Sequence, residues 1–383
     1  MKLSNKDVLT RGVAEVLEQS HLERALAGKK KLRIKFGADP TAPDLHLGTA
    51  VALRKLKQFQ DLGHIVVFVI GDYTARIGDP SGRSKTRPML TDEEIKKNAA
   101  TYFKQVGKIL DVEKTEIHYN SEWFGAEPFS LAIDLARNFT VQRILERDDF
   151  TNRLDDGVEV YVHELLYPMM QAYDSFQIKA DVEIGGTDQK FNMLAGRDLQ
   201  RRFNMQEQDV VTVPLLVGTD GVKKMSKSYE NYIGITEDPE SIFGKIMSIP
   251  DGAIDQYYAL CTDEKRDAEN PREAKLALGE IIVGMYHGKA AGKKAKEEFV
   301  RVVSKGGMPS EIPTIRVTVK SAQLVDLLLE IKMAESKGEA RRLIEQGGVK
   351  VNKRKASDQH MLIVFDKEVL VQVGKRKYFK ITR

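Results

Sequence analysis

Helical and strand-like hydrophobic patterns alternate along the first half of the chain. From Asp7 to Leu26, Val8, Val13, Val16 and Leu17 fall on one side of a helix, which predicts an amphipathic helix. Lys31-Leu32-Arg33-Ile34-Lys35-Phe36-Gly37 predicts a strand that ends in the turn-rich Ala38-Asp39-Pro40-Thr41-Ala42-Pro43-Asp44. A helix is expected to start near His46 and run through Ala50, Leu53, Leu56 and Phe59 to a stop at Gly63. Ile65 to Ile70 is a continuous apolar run closed by Gly71 and Asp72, the pattern of a strand buried on both faces. Strand, helix and strand at this spacing form a βαβ unit, so the fold class is α/β with a parallel sheet. Helical patterns dominate Thr91 to Arg147, and Tyr161 to Gln177 predicts a further helix. Asp181-Val182-Glu183-Ile184 predicts a strand ending in Gly185-Gly186, with a helix opening near Asn192. The run Val211 to Val217 precedes a polar loop.

The second half changes character. Pro239 to Val303 is helical and charged, with breaks at Pro250 and Pro271, and Ser304 to Pro313 has the Gly and Pro content of a linker. Helical patterns then cover Leu324 to Ile331 and Lys337 to Gln346. Short strands follow at Val349-Val351, Leu362-Phe365 and Val369-Val373.

Charge sharpens this division. The 383 residues carry a net +4, yet Lys337 to Arg383 hold 13 Lys/Arg against 5 Asp/Glu, a local net of +8. A basic tail on a mildly acidic body suits a polyanionic partner held by the tail, or a solubilising face. The single cysteine, Cys261, excludes an intramolecular disulfide and fits a reducing cytosol; no apolar run is long enough to span a membrane.

The candidate chemistry gathers at expected strand ends. Lys224-Met225-Ser226-Lys227-Ser228 places two lysines three apart beside hydroxyl residues, which suits a loop that grips a polyphosphate. His46, at a helix start, can join a helix N-terminus in hydrogen-bonding phosphate, and Gly48 would let a flat ring lie on backbone. Asp39 and Thr41 offer polar groups at the end of the first strand. Gly78 to Pro88 carries Arg83, Lys85 and Arg87, which can converge on an anion. Tyr167, Gln171 and Asp174, at i, i+4 and i+7, share one helical face. Each feature alone also fits a solvated loop or a polar face. Together the loops after Phe36, Ile70, Ile184 and Val217 point to one ligand site at the carboxyl ends of a parallel sheet. The expected reaction is attack on an α-phosphate with loss of pyrophosphate. There is no Walker-type loop, kinase catalytic loop or zinc-ligand spacing.

Taken together, these residues resemble the tyrosyl-tRNA synthetases, class I aminoacyl-tRNA synthetases. His46-Leu47-Gly48-Thr49 is similar to the HIGH signature of that family, and Lys224 to Ser228 matches its KMSKS signature letter for letter. The resemblance implies a Rossmann-like catalytic domain over 1–230 with a helical insertion at about 120–180. It further implies an α-helical anticodon-side domain over 231–303, a linker over 304–320 and an RNA-binding domain over 321–383. The last resembles the domain shared with ribosomal protein S-four. The implied substrates are L-tyrosine, ATP with Mg2+ as a co-substrate, and a tyrosine-specific tRNA. No protein-bound metal or prosthetic group and no membrane are expected. The implied assembly is a cytoplasmic homodimer, with the segment from Trp123 to Arg147 at its interface.

The same resemblance implies residue roles. Asp79, Tyr167 and Gln171 would hold the substrate α-amino group, Asp174 the phenol hydroxyl, and Gln189 would lie near the carboxylate. Asp39 and Asp188 would lie near the amino group or the ribose, with Thr41, Gly48 and Gly186 beside the nucleotide. His46, Thr49, Lys224 and Lys227 would act on the phosphates. Lys337, Arg341, Arg342, Lys350, Lys353 and Arg354 would contact tRNA phosphates. Two departures stand out. Thr49 replaces the second histidine of the signature, which weakens the nucleotide contact by about 1–2 kcal/mol on the scale of a lost hydrogen bond. Lys35 stands where some members place a tyrosine that binds the substrate hydroxyl, and it receives no role. A non-catalytic RNA-binding paralogue and the sister tryptophanyl enzyme are the competing readings.

Overall fold

The computed structural model describes residues 3–41, 43–81, 90–126, 128–304, 307–308, 312–374 and 377–383. Arg83, Lys85 and Arg87, the basic residues expected to converge on an anion, lie outside them. The chain divides into two compact units, Met1–Ile282 and Val283–Arg383.

The first unit is built on a six-stranded sheet. Its strands are β1 (Glu15–Leu17), β2 (Arg33–Ala38), β3 (Ile65–Ile70), β4 (Thr115–Tyr119), β5 (Val182–Gly186) and β6 (Asp209–Val213), in the spatial order β1-β6-β5-β2-β3-β4. All neighbours are parallel except β1, which runs antiparallel to β6. Five of the six residues of β3 and all of β6 are buried, as strands covered on both faces require. The helix Leu47–Asp61 links β2 to β3 and buries Leu47, Ala50, Leu53, Leu56 and Phe59. The helix Lys190–Arg202 links β5 to β6. The connections leave β2 and β5 in opposite directions, so a crevice opens between their carboxyl ends.

Several sequence expectations need correction. The N-terminal pattern is not one helix but a short helix Asn5–Thr10, strand β1 and a second helix Gln19–Ala27. Gly12 takes a φ of +65°, which a helix cannot continue, and Val16 then pairs with Val211 in the sheet. Strand β4 lies inside the stretch expected to be dominated by helices. As the edge strand it pairs with β3 along its whole length on one side, whatever its polar side chains suggest. Strand β6 stops at Val213, and Val217 instead bridges to Lys224.

The second unit ends in β7 (Thr314–Arg316), β8 (Ser321–Gln323), β9 (Val349–Val351), β10 (Arg354–Lys355), β11 (Leu362–Val364), β12 (Val369–Val373) and β13 (Lys377–Thr382). Five of these form a sheet in the order β10-β9-β12-β13-β7, and β8 pairs with β11. The segment read as a linker therefore contributes β7, which lies parallel to β13. The helices Leu324–Glu330 and Lys337–Glu345 add Leu324, Leu327, Leu328 and Ile344 to a core completed by Val349, Val371 and Ile381. Arg354 pairs with Val351 across a two-residue turn, in which Asn352 and Lys353 both have positive φ, as a tight hairpin of native twist demands. Lys337, Arg341, Arg342, Lys350, Lys353 and Arg354 are all exposed on this helix and hairpin.

Leu53 is fully buried beneath the sheet. Leu53→Ala is expected to cost about 2–5 kcal/mol in denaturant unfolding of the first unit. A loss below ~1 kcal/mol would contradict this packing.

Candidate active site

The carboxyl ends of β2, β3 and β5 enclose a cavity of about 170 Å3, lined among others by Asp39, Thr74, Asp79, Tyr167, Gln171, Asp174 and Gln189. Its wall is the helix Val162–Gln177, whose face carries Tyr167, Gln171 and Asp174, all buried. Asp174 is 5% exposed. It accepts hydrogen bonds from Trp123 Nε1 at 2.9 Å and Asn120 Nδ2 at 3.5 Å, both from the segment after β4. Burial raises its pKa to about 7, against the pull of Lys35 and of these two donors. A carboxylate has about four lone-pair sites, so room remains for a donor from the cavity.

From Tyr167 on the same helix a chain of hydrogen bonds crosses to the loops after β2 and β3. Tyr167 donates its hydroxyl to Asp39 Oδ2 at 2.9 Å, and Thr74 donates to Asp39 Oδ1 at 2.7 Å. Burial raises the Tyr167 phenol well above its ordinary range, reinforced by the nearby Asp39 and Asp79 carboxylates, so it stays a donor. Asp79 accepts from Ser81 and from Gln189 Nε2 at 3.0 Å. Burial works to raise the pKa of Asp79, but the Arg147 guanidinium and these hydrogen bonds outweigh it and hold the carboxyl below its usual value. Arg147 is itself 2% exposed and donates to Ser81 Oγ at 3.0 Å and to Asn192 Oδ1 at 2.7 Å.

A second cavity, of about 420 Å3, shares Gly37, Ala38, Asp39 and Gln189 with the first. It is lined also by Thr41, Asp44, His46, Thr49 and Lys227. A third, of about 240 Å3, shares His46, Thr49 and Gln189 with the second and adds Gly48, Gly186, Asp188 and Lys224. His46 caps the helix Leu47–Asp61, its Nδ1 accepting from Thr49 N at 3.3 Å. Burial, with the Lys227 charge adding to it, lowers its pKa to about 4. The ring is therefore neutral near pH 7, and with Nδ1 an acceptor its proton sits on Nε2. Lys224 Nζ lies 2.5 Å from Asp188 Oδ2, and Lys227 Nζ donates to the Asp44 carbonyl.

The loop that carries these lysines is pinned by Asn231. Its side chain accepts from Ser226 N at 2.8 Å and donates to Lys224 O at 3.1 Å. It fits only because Gly218 has no Cβ; one there would overlap the Asn231 amide.

Every residue of the first unit to which the resemblance gave a substrate role thus reaches one of three adjoining cavities, while Arg83, Lys85 and Arg87 lie outside the described residues. Sequence reasoning missed Asn120, Thr74, Ser81, Arg147 and Asn192, and it gave Trp123 no part in the site, although its indole N–H is turned to Asp174. For Thr74, Asn120 and Ser81 the only sequence signal was a location after a strand or beside a glycine, too weak to separate them from ordinary loop polars; Arg147 and Asn192 had none.

The chain matches the family model "tRNA synthetases class I (W and Y)" over residues 27–304, and the model "Tyrosine--tRNA ligase SYY-like C-terminal domain" over 305–381. It is 48% identical to the tyrosine–tRNA ligase of Aquifex aeolicus, over 98% of this chain and 97% of that protein. Against that of Thermotoga maritima it is 48% identical, over 98% and 96%. Among solved structures it resembles the tyrosyl-tRNA synthetase of Archaeoglobus fulgidus in complex with L-tyrosine, with a TM-score of 0.62 at 22% identity, covering 77% of this chain and all of that one.

The neutral, buried His46 has a consequence for stability. Its folded pKa lies below its unfolded value, so it costs nothing above about pH 6.5 and destabilises the fold progressively as pH falls from there towards about 4. NMR titration of the His46 ring is expected to show an inflection near pH 4 with Nε2 protonated above it. An inflection near 6.5 would contradict the described burial.

Proposed function

This chain belongs to the tyrosine–tRNA ligase family of class I aminoacyl-tRNA synthetases, and we propose how its residues divide the work. It is an enzyme that joins tyrosine to tRNA using ATP. Neither the sister tryptophanyl enzyme nor a non-catalytic paralogue is favoured, since the family model of its C-terminal part and its relatives are those of tyrosine–tRNA ligases.

The observation that carries the residue-level reading is the buried Asp174 carboxyl at the cavity held between β2, β3 and β5. The cavity takes the tyrosine. Asp174 accepts the phenol hydroxyl on the lone pairs that Trp123 and Asn120 leave open. Phenylalanine would leave that buried acceptor unpaired, which is why a site of this kind can reject it. Tyr167, Gln171 and Asp79 take the α-ammonium, and Gln189, held by Asp79, lies near the carboxylate that attacks the α-phosphate.

The two adjoining cavities take the nucleotide. Asp39, Thr41, Gly48, Gly186 and Asp188 line its base and ribose end. His46, as a neutral Nε2–H donor, and the Thr49 hydroxyl hydrogen-bond phosphate oxygens. Lys224 and Lys227 exchange their present partners, Asp188 and the Asp44 carbonyl, for the phosphates as charge builds on the leaving pyrophosphate. Cations that engage mainly in the transition state raise kcat rather than substrate affinity. Mg2+ arrives with ATP and keeps mostly water and phosphate ligands.

Lys337, Arg341, Arg342, Lys350, Lys353 and Arg354 present their charges to tRNA phosphates from one helix and one hairpin. The exposed Phe129, Ile133, Val141 and Val162 support a homodimer, because large apolar side chains left this exposed call for a cover. The single buried Cys261 supports a reducing cytoplasm.

Exchange of pyrophosphate into ATP that depends on tyrosine tests the reading, and its absence from the purified protein would defeat it. Lys227→Ala is expected to lower kcat of exchange about 10²–10³-fold with the KM for tyrosine little changed. Asp174→Ala is expected to lose roughly 1–3 kcal/mol of the preference for tyrosine over phenylalanine. An unchanged ratio of kcat/KM values would remove Asp174 from the pocket.

A further inference from the structure

Lys35 and Glu183 face each other on neighbouring parallel strands, with side chains 0% and 1% exposed and Nζ 2.8 Å from Oε1. A buried ion pair is poor evidence of a stability gain, because desolvation cancels most of the attraction. The position of Lys35 in the sequence gave it no role.

Its other hydrogen bonds supply one. Lys35 Nζ donates to Gln171 O at 2.8 Å and to Ser175 Oγ at 2.7 Å, both on the helix that walls the amino-acid cavity. Glu183 Oε1 accepts from Gln171 Nε2 at 3.0 Å. Glu183 Oε2 accepts from Ser175 Oγ at 3.1 Å and from Gln208 Nε2 at 2.5 Å. At the other end of the amide, Gln171 Oε1 accepts from Asn192 Nδ2 at 2.9 Å. A side-chain amide can be inserted in either of two orientations of nearly equal shape. An ionised carboxylate accepts only, so Glu183 admits only the NH2 end of Gln171.

We propose that the Lys35–Glu183 pair is a positioning device that sets the polarity of the Gln171 amide. It turns the oxygen towards the cavity, so that this wall accepts a hydrogen bond from the substrate ammonium. Neither residue touches substrate. Lys35 Nζ holds Glu183 Oε1 while it also holds the Gln171 carbonyl and the Ser175 hydroxyl, so it ties the carboxylate to the backbone of the residue whose amide that carboxylate orients. Without Lys35 that tie is lost and the amide is free to turn over. The proposal rests on the reading that Gln171 contacts the tyrosine ammonium.

The test is steady-state pyrophosphate exchange on the full chain, with KM for tyrosine and for ATP measured separately and thermal midpoints recorded. Lys35→Met is expected to raise the KM for tyrosine about ten-fold or more while the KM for ATP stays within about two-fold. The double variant Lys35→Met/Glu183→Gln removes both charges and is expected to recover the thermal midpoint. It should not recover the KM for tyrosine, because a glutamine at 183 can both donate and accept and no longer imposes one orientation. Should Lys35→Met fail to fold, the double variant decides alone. A double variant with wild-type KM for tyrosine would reduce the pair to a structural role and overturn the proposal. Gln171→Ala separates the two levels. If it raises the KM for tyrosine, the pocket reading holds whatever the pair does; if it leaves that KM unchanged, the pocket reading fails and takes the proposal with it.

Discussion

A carboxyl group removed from water must be paired, protonated or left waiting for a ligand, and Asp174 is the residue around which this molecule settles that choice. Its protein donors, Trp123 and Asn120, are uncharged and fill only part of its hydrogen-bonding capacity. Burial pushes its pKa up to about 7, so near neutral pH the group stands at the point of accepting a proton or a hydrogen bond. A ligand that brings a hydroxyl to it is favoured over one that does not. Much else in the first unit keeps that state in being: β3 and β4 carry the flanking loops, and the helix Val162–Gln177 carries the carboxyl itself.

On the proposed reading, the nucleotide side follows the opposite logic. Its cations are already engaged, Lys224 with Asp188 and Lys227 with the Asp44 carbonyl. They are held close to where they are needed without an unpaired charge being buried. His46 is kept neutral by burial and given one tautomer by the Thr49 amide. A neutral donor loses less on desolvation than an imidazolium and still offers a hydrogen bond to a phosphate oxygen. Thr49 can add a single hydroxyl contact beside it. The two cavities meet at Asp39 and Gln189, which border both, at the switch in sheet order where the proposed reading joins amino acid and nucleotide.

Much of this was legible in the chain itself. The stripe Tyr167, Gln171 and Asp174 stood out because helical spacing put three polar groups on one face, with Met169 and Met170 beside them. The lysine loop stood out because its residues are unusual in combination. The βαβ unit from Arg33 to Ile70 was readable because β3 is uniformly apolar. What escaped had no local signature. Strand β4 is Thr-Glu-Ile-His-Tyr, polar enough to pass for part of a helical stretch, and only its place beside β3 makes it a strand. Val16 and Leu17 fit a helix in isolation, but Gly12 and the edge of β6 make them a strand. Lys35, Glu183 and Arg147 look like surface charges in sequence. Each is buried because its partner comes from a distant segment, and no window of neighbouring residues contains that information.

The measurement that bears most directly on the account is a crystal structure of the chain with a non-hydrolysable tyrosyl-adenylate analogue. The account places the phenol oxygen within hydrogen-bonding distance of Asp174, the ammonium between Tyr167, Gln171 and Asp79, and the adenosine beside His46, Gly48 and Asp188. An analogue bound with its ring away from Asp174, or in a cavity that does not include Asp39 and Gln189, would contradict it.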